Sequence, residues 1–317
     1  MTKQAPRLRA LAAVLAVSAA AGCAADAEPG AQDAAPQGGP SRITASESTA
    51  PQADVTRRLD RLERTHRARI GAYAIDTGTG RSVSHRADET FPFASTFKAM
   101  ACGAVLRKAR RSAPGLLEKV VRYTEDDLVD HSPVTGKHVG TGMTVADLCR
   151  AAITESDNTA GNLVLKQIGG PAGLTAFLRS LGDRVSRSDR WETALNDWRP
   201  GEQRDTTAPR AWADDLRALT AGDALAPADR TRLIGWMKAT VTGDERIRAG
   251  LPEGWTVGDK TGTGGAYGTA NDIAVAYPPS RAPLIIVITT NKRRADAAAD
   301  DGAIARTAAV LARALVR

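Results

Sequence analysis

Residues 95–105 read STFKAMACGAV, and they mark the point where the chain changes from strand patterns to helix patterns. Before them, Arg69–Asp76 and Arg81–His85 have the composition of two strands joined by a glycine-containing turn. From Ser95 to about residue 238, apolar residues recur mostly at helical spacing between loops. Strand patterns return after residue 254, at Trp255–Lys260, Ala270–Tyr277 and Leu284–Thr290.

This order of elements predicts an α+β fold of the α/β sandwich type. Strands at both chain ends and helices in the middle indicate one antiparallel sheet of about five strands, with an inserted all-helical subdomain. Asp54 can cap a first helix and the last helix has one apolar face, so terminal helices should flank the sheet. We expect a folded domain over residues 54–317, with a sheet subdomain at about 54–94 and 239–317 and a helical subdomain at about 95–238.

The composition excludes several classes of protein. A chain of 317 residues with 42% hydrophobic and 25% charged residues can bury a real core. An aromatic share of 4% argues against a stacking platform for sugars or single-stranded nucleic acid. The net charge is +7, but Lys3, Arg7 and Arg9 lie in the first 22 residues, which hold no acid, so the remainder carries +4. We therefore expect no nucleic-acid partner.

The first 22 residues (1–22) are predicted to be a signal peptide. Their basic residues precede the apolar stretch Leu11–Ala21, which is too short to span a bilayer. Small residues directly before Cys23 resemble a bacterial lipobox, so we expect an exported chain that a lipid on Cys23 anchors to the membrane. Plain secretion and a buried N-terminal helix are the alternatives. Residues 23–53 are poor in large apolar side chains and are predicted to form a flexible tether.

Ser95 and Lys98 are a candidate nucleophile and base. They lie three residues apart at the start of a helical pattern, so their side chains share a face. A serine hydroxyl needs a base to take its proton, which a partly desolvated lysine can do. The helix N-terminus also offers N–H groups to an oxyanion. Taken alone, the pair is also explained by an N-cap serine and a solvated lysine.

Two further polar motifs lie at the ends of predicted elements. Ser156–Asn158 (Ser-Asp-Asn) lies in a turn between two helices, the first of which has a capping-box pattern at Thr144. Lys260–Thr263 (Lys-Thr-Gly-Thr) ends a strand, where the glycine lets a substrate approach the backbone and Lys260 supplies positive charge. Each motif taken alone could be an ordinary turn.

A fourth motif lies in the irregular stretch that begins at Arg190. Its Glu192 and Asn196 are four residues apart and could hold a water molecule between them, although a surface loop carboxylate is the simpler interpretation. Any one of the four motifs could arise by chance. All four in this order are much harder to explain by chance.

The ordered set resembles the motifs of class A serine β-lactamases, in the penicillin-binding protein and serine β-lactamase superfamily. The resemblance covers about residues 54–317. It implies hydrolysis of the β-lactam amide bond of penicillin- and cephalosporin-type antibiotics through a serine acyl-enzyme, and hence antibiotic resistance. The expected partners are β-lactam small molecules. We expect no cofactor, no metal site, since the four histidines lack ligand spacing, and a monomer.

The resemblance also implies the catalytic roles. Ser95 would be acylated, with Lys98 as its proton partner, and Ser156 would pass a proton to the leaving ring nitrogen. Glu192, with Asn196, would activate the water that releases the acyl-enzyme. Either Lys98 or Glu192 could be the base for acylation.

Further residues are implied to bind substrate or to support the site. The substrate-binding residues would be Asn158, Asn196, Lys260, Thr261, Gly262, Thr263 and Arg246. Lys260 and Thr261 would bind the substrate carboxylate, and the backbone N–H groups of Ser95 and Thr263 would form the oxyanion hole. Similar enzymes place an arginine against this carboxylate from one of two positions; Thr269 occupies one here, so Arg246 is expected to act.

Two more positions follow from the same resemblance. Arg190 and Asp205 are expected to pair across the catalytic loop. His131 stands where many relatives have an aromatic gate residue, which affects the expected range of substrates rather than the reaction.

Two other functions use similar residues. A penicillin-binding DD-peptidase shares the Ser95, Lys98 and Lys260 chemistry but lacks the deacylating carboxylate, so Glu192 argues against it. A non-catalytic β-lactam sensor domain would need a transmembrane signalling segment, and the one apolar segment here is N-terminal.

Cys102 and Cys149 remain as a pair if Cys23 is lipidated or removed. An exported chain can form disulfides. Cysteines occur at both corresponding places in some relatives, so the resemblance implies a Cys102–Cys149 disulfide between the helices that carry Ser95 and lead to Ser156. Two independent buried thiols are the alternative.

Overall fold

The computed structural model describes residues 49–316. Its helices are α1 (Thr49–His66), α2 (Phe97–Arg111), α3 (Val145–Thr154), α4 (Asn158–Ile168), α5 (Gly170–Leu181), α6 (Pro209–Thr220), α7 (Pro227–Lys238), α8 (Ile247–Gly250) and α9 (Asp301–Val316). Its strands are β1 (Ala68–Asp76), β2 (Ser82–His85), β3 (Phe91–Pro92), β4 (Val120–Val121), β5 (Met143–Thr144), β6 (Thr206–Thr207), β7 (Thr256–Thr263), β8 (Ala270–Tyr277) and β9 (Leu284–Lys292).

Five strands form one antiparallel sheet in the order β2-β1-β9-β8-β7. Tyr73 of β1 and Ile273 of β8 both pair with Val287 of β9, so the first and last parts of the chain meet at the centre of the sheet. Helices α2 to α7 all come from the chain between β2 and β7. The predicted α+β fold, with a sheet built from both chain ends and helices inserted between them, is therefore confirmed.

The two faces of the sheet bury different sets of side chains, because neighbours along a strand point to opposite faces. Val275 and Val287 pack into a core shared with helices α2 to α7. Ile286 packs on the other side with Leu59 of α1 and Leu311 of α9. The sheet is thus covered on both faces, and the terminal helices flank it as predicted.

The start of the folded part differs from the prediction. Helix α1 begins at Thr49 and not at Asp54, so the tether predicted to reach residue 53 ends earlier. Pro51 is tolerated in the first helical turn because its missing N–H is not needed there. Asp54 lies inside the helix and accepts a hydrogen bond from Arg58 at 2.6 Å. The predicted signal peptide, most of the tether and Cys23 lie outside the described residues.

Within residues 49–316, no helix combines the length and the apolar character needed to cross a bilayer.

The predicted disulfide is a second correction, because Cys102 and Cys149 are free and buried in the structure. The Cys102 thiol donates a hydrogen bond to the Cys149 carbonyl oxygen at 3.7 Å, from α2 to α3. Burial, and then the neighbouring Cys149, raise the pKa of the Cys102 thiol. Both side chains are fully buried, so they pack as small apolar groups.

Candidate active site

The Ser95 hydroxyl lies where the helical subdomain meets the sheet. Ser95 is in the short 3₁₀ turn Ala94–Thr96 that leads into α2, and Lys98 follows one turn later. The Lys98 Nζ donates to the Ser95 Oγ at 2.9 Å. The predicted nucleophile and base are therefore in direct contact, and this contact comes from their spacing along one helix.

Lys98 is completely buried and has a full set of hydrogen-bond acceptors. Besides Ser95, its Nζ donates to the Ser156 carbonyl oxygen at 2.7 Å and to the Asn158 Oδ1 at 2.5 Å. Burial lowers the pKa of Lys98, and the nearby Glu192 carboxylate partly opposes this. A lowered pKa makes the neutral amine, the form that can accept a proton, easier to reach than in an exposed lysine.

The Ser-Asp-Asn turn joins α3 to α4. Thr144 caps α3 by accepting a hydrogen bond from the Asp147 N–H at 3.1 Å, as the capping-box pattern predicts. Asp157 caps α4 by accepting from the Ala160 N–H at 2.8 Å. Asp157 therefore stabilises the start of α4, while its neighbours Ser156 and Asn158 contribute to the site.

Ser156 faces the sheet from this turn. Its backbone is left-handed, with φ of 57°, a conformation that is uncommon for serine and concentrates at functional sites. The Lys260 Nζ donates to the Ser156 Oγ at 3.0 Å. The second and third motifs thus meet across the boundary between the helical subdomain and the sheet.

Glu192 completes the centre of the site. The Ser95 hydroxyl donates to the Glu192 Oε1 at 3.0 Å, and the Lys98 Nζ lies 3.0 Å from the same oxygen. The Asn196 side-chain amide donates to the Glu192 Oε2 at 2.7 Å. Glu192 is only 4% exposed. One carboxylate oxygen therefore faces the nucleophile, and the amide of Asn196 holds the other.

Asn162 of α4 holds the Glu192 backbone, a role that the sequence reasoning missed. Its side chain accepts from the Glu192 N–H at 2.9 Å and donates to the Glu192 carbonyl oxygen at 2.9 Å. Asn162 follows Asn158 by four residues, so helical periodicity alone places it on the same face of α4. That periodicity could have identified it.

The loop that carries Glu192 is held at its base. Arg190 Nε donates to the Asp205 Oδ2 at 2.5 Å, so the structure brings this expected pair together. The other Asp205 oxygen accepts the backbone N–H groups of Asp189 and Arg190 at 2.8 and 3.0 Å. Asp205 is fully buried, so these contacts closely define the path of the loop.

Lys260 and Thr261 lie on β7, the edge strand that borders the Ser95 turn. Burial, and then the positive charge of Lys98, lower the pKa of Lys260 to about 7. Thr261 Oγ1 lies 2.6 Å from the hydroxyl of Thr242, a residue that the sequence reasoning did not single out. A Cβ at Gly262 would lie 2.9 Å from the Phe93 carbonyl oxygen, so only glycine lets β7 approach the turn this closely.

Arg246 is placed differently from the expectation. It was expected to reach the substrate carboxylate, but each of its side-chain nitrogens donates to the protein. Nε donates to Asp301 Oδ1 at 2.8 Å, and Nη1 donates to the carbonyl oxygens of Gly262 and Asn271 at 2.9 and 2.8 Å. Nη2 donates to Thr263 Oγ1 at 2.7 Å. The guanidinium is buried beside β7 and contacts the site through the Thr263 hydroxyl.

His131 lies beside the Ser-Asp-Asn turn. Its carbonyl oxygen accepts the Asn158 N–H at 2.9 Å, and its ring Nε2 lies 3.0 Å from the Glu155 carbonyl oxygen. The imidazole is exposed, so a polar ring occupies this position at the site.

Among residues 49–316, one group of side chains has the spacing of metal ligands: Asp60, Glu63 and His85. These residues are on α1 and β2 and include none of the residues around Ser95. Arg86 donates to both Glu63 oxygens, at 2.8 and 3.0 Å, so a metal ion would have to displace a guanidinium.

Comparison with known proteins identifies the family. The model of the β-lactamase enzyme family matches residues 54–315. β-Lactamase AST-1 of Nocardia asteroides is 54% identical over 273 residues, which cover 86% of this chain and 87% of that protein.

Solved structures agree with this match. The crystal structure of a β-lactamase from Streptosporangium roseum superposes with a TM-score of 0.82 at 61% identity, covering 83% of this chain and 98% of that one. An ancestral class A β-lactamase superposes with a TM-score of 0.79 at 52% identity, covering 82% of this chain and 100% of that one. The chain belongs to the β-lactamase enzyme family, in class A.

Proposed function

We propose that the chain hydrolyses the β-lactam amide bond of penicillin- and cephalosporin-type antibiotics through an acyl-enzyme on Ser95, and so confers antibiotic resistance. One observation carries this proposal at the level of residues. The Glu192 carboxylate has one oxygen 3.0 Å from the Ser95 Oγ and the other 2.7 Å from the Asn196 amide. This arrangement can activate a nucleophile on one side and position a water molecule on the other.

In the acylation step, Ser95 Oγ attacks the lactam carbonyl carbon. Its proton passes to Lys98 Nζ or Glu192 Oε1, which both lie within 3.0 Å of it. The backbone N–H groups of Ser95 and Thr263 would stabilise the oxyanion. The ring C–N bond then breaks, and the nitrogen takes a proton from the Ser156 hydroxyl, whose oxygen accepts a hydrogen bond from Lys260. The proton taken from Ser95 restores the Ser156 hydroxyl, so Lys98 and Glu192 return to their starting states and Glu192 enters deacylation as a carboxylate.

Deacylation reverses the proton flow at Ser95. A water molecule held by Glu192 and Asn196 gives a proton to the Glu192 carboxylate, and its oxygen attacks the ester carbonyl carbon. The ester C–O bond breaks, and Ser95 Oγ leaves with the proton that Glu192 took from the water molecule. The hydrogen bonds from Asn162 to both backbone groups of Glu192 keep its carboxylate at the distance that this step requires.

The carboxylate of the substrate would bind beside β7. Lys260, Thr261 and Thr263 are the donors in reach of that edge. The ion pair of Arg246 with Asp301 orients a guanidinium whose Nη2 donates to Thr263, so Thr263 can donate its own proton to the substrate.

The decisive experiment is the burst stoichiometry with a chromogenic cephalosporin. Hydrolysis predicts many turnovers per enzyme. A DD-peptidase or a covalent sensor would release about one equivalent of chromophore and then stop. A single turnover would therefore refute the proposed function, whereas repeated turnover excludes both alternatives.

We further propose that the chain is exported, anchored by a lipid on Cys23, and monomeric. The charged and apolar N-terminal pattern and the small residues before Cys23 support this proposal. Metabolic labelling with radioactive palmitate should label the wild type and not Cys23→Ser, and sedimentation of the protein without its lipid should give one chain. Equal labelling of both chains would refute the anchor.

A further inference from the structure

A large cavity lies outside the catalytic site. It has a volume of about 1060 Å³, and none of the catalytic or substrate-binding residues named above lines it. Its walls are the end of α1, the start of β1, the end of β9 and the loop 198–203. We call it the arginine cavity. Its volume is close to the upper end of the range for small-molecule sites, about 300–1,000 Å³.

The lining of the arginine cavity is strongly basic. Seven arginine or lysine side chains line it against two glutamates, counted over the described residues. Each glutamate already has a cationic partner, since Glu63 pairs with Arg86 at 2.8 Å and Glu202 with Arg204 at 2.6 Å. Three more of the cations, Arg69, Lys292 and Arg294, pair with Glu89, Asp300 and Asp296, which lie outside the lining. The uncompensated positive charge is therefore that of the remaining three cations.

Three of these cations have no acidic partner within residues 49–316: Arg64, Arg67 and Arg293. Arg64 is on α1, Arg67 is between α1 and β1, and Arg293 directly follows β9. All three are exposed. The three arginines thus line one cavity from two segments, the end of α1 and the residue after β9.

Buried polar atoms in the cavity wall also lack partners. Asn291 is only 4% exposed, and its side-chain Nδ2 donates to nothing. The His66 Nδ1 lies 3.0 Å from Asp300 Oδ2, while its Nε2 is buried without a partner. Both nitrogens have almost no accessible surface, so neither is open to the cavity, and the three arginines are the groups that a ligand there would contact.

We propose that the arginine cavity binds an oligophosphate anion, meaning a ligand with two or more linked phosphate groups. Guanidinium groups bind phosphate oxygens in bidentate geometry. Linked tetrahedral phosphates carry several charges and accept donors from several directions, which suits three arginines on two segments. A planar carboxylate has two acceptor oxygens, so it satisfies fewer of these donors.

The test is isothermal titration calorimetry of the full mature chain with sodium tripolyphosphate, at constant ionic strength. The cavity variant is Arg64→Gln/Arg67→Gln/Arg293→Gln. Its matched control is Arg232→Gln/Arg281→Gln/Arg306→Gln, which removes the same charge from three exposed arginines that do not line the cavity. Because all six side chains are exposed, both variants should fold, which their melting temperatures will check.

We expect one tripolyphosphate to bind per wild-type chain, with the Kd raised at least ten-fold in the cavity variant and less than two-fold in the control. Equal affinities of the two triple variants, or no binding at 1 mM tripolyphosphate (on the order of the weakest useful Kd), would overturn the proposal. Citrate binding as tightly as tripolyphosphate would overturn the phosphate class. Hydrolysis of β-lactams is a separate readout, so neither proposal depends on the other.

Discussion

Replacing Arg246 by alanine should reduce β-lactam hydrolysis, although Arg246 lies beside β7 and not in the open cleft. The structure gives the reason, because Arg246 Nη2 donates to the Thr263 hydroxyl at 2.7 Å. A hydrogen bond to a charged group contributes about 1.5–3 kcal/mol. Since about 1.4 kcal/mol corresponds to a factor of ten, kcat/KM for a carboxylate-bearing penicillin should fall roughly 10- to 100-fold.

The same substitution should also lower stability. Arg246→Ala removes the donor to the carbonyl oxygens of Gly262 and Asn271, and it removes the partner of Asp301. A buried group left without its partner costs about 1–3 kcal/mol. In a chain of this size, that corresponds to a fall of the Tm by roughly 2–10 °C. Kinetics should therefore be measured well below the Tm of the variant.

A double-mutant cycle separates the action through Thr263 from a general loss of structure. The assay is kcat/KM for benzylpenicillin in the wild type, Arg246→Ala, Thr263→Val and the double variant. If Arg246 acts by orienting Thr263, the double variant should be no slower than the slower single variant. Effects that simply add, or a normal kcat/KM in Arg246→Ala, would refute the reasoning.

The remaining predictions concern the side chains of Lys260, Asp215 and Asn162. Because the pKa of Lys260 is about 7, kcat/KM of the wild type should fall as the pH rises through that value and the ammonium group is lost, whereas Lys260→Arg should show no such limb in its pH–rate profile. The pKa of Asp215 is raised from 3.8 to about 9, first by burial and then by the charge of Asp183, so its contribution to stability is full below the unfolded value of 3.8 and is lost progressively as the pH rises from there to about 9. Asp215→Asn should therefore melt higher than the wild type at pH 8 and show little difference at pH 4; a lower Tm at pH 8 would contradict this. Asn162→Ala loses two hydrogen bonds to Glu192 of about 1 kcal/mol each, so deacylation measured by stopped flow should slow by up to about thirty-fold, and unchanged kcat would count against this role.

Short sequence patterns correctly predicted the contacts between residues that are close together along the chain. The contact between Ser95 and Lys98 follows from one helical turn, and the cap at Thr144 follows from its own tetrapeptide. The five-stranded sheet followed from strand patterns at both ends of the chain. The start of α1 was missed because Asp54 is a good cap, but the helix continues through Pro51 to Thr49.

Features that need long-range contacts were harder to predict. The position of Arg246 depends on β7, β8 and Asp301, which are 16 to 55 residues away in sequence. The sequence allowed Cys102 to be either a free thiol or part of a disulfide. In the structure the thiol is free and donates a hydrogen bond to the Cys149 carbonyl oxygen. The arginine cavity is also invisible in the sequence, because the fold alone brings its segments together.

The most direct test of the catalytic account is the intact mass of Glu192→Ala after addition of benzylpenicillin. Without the carboxylate, Ser95 should still be acylated through Lys98, but no water would be activated to release the acyl group. The account predicts a persistent adduct of one drug per chain, and no adduct at all in Ser95→Ala. Prompt loss of the adduct with near-normal hydrolysis in Glu192→Ala would contradict it.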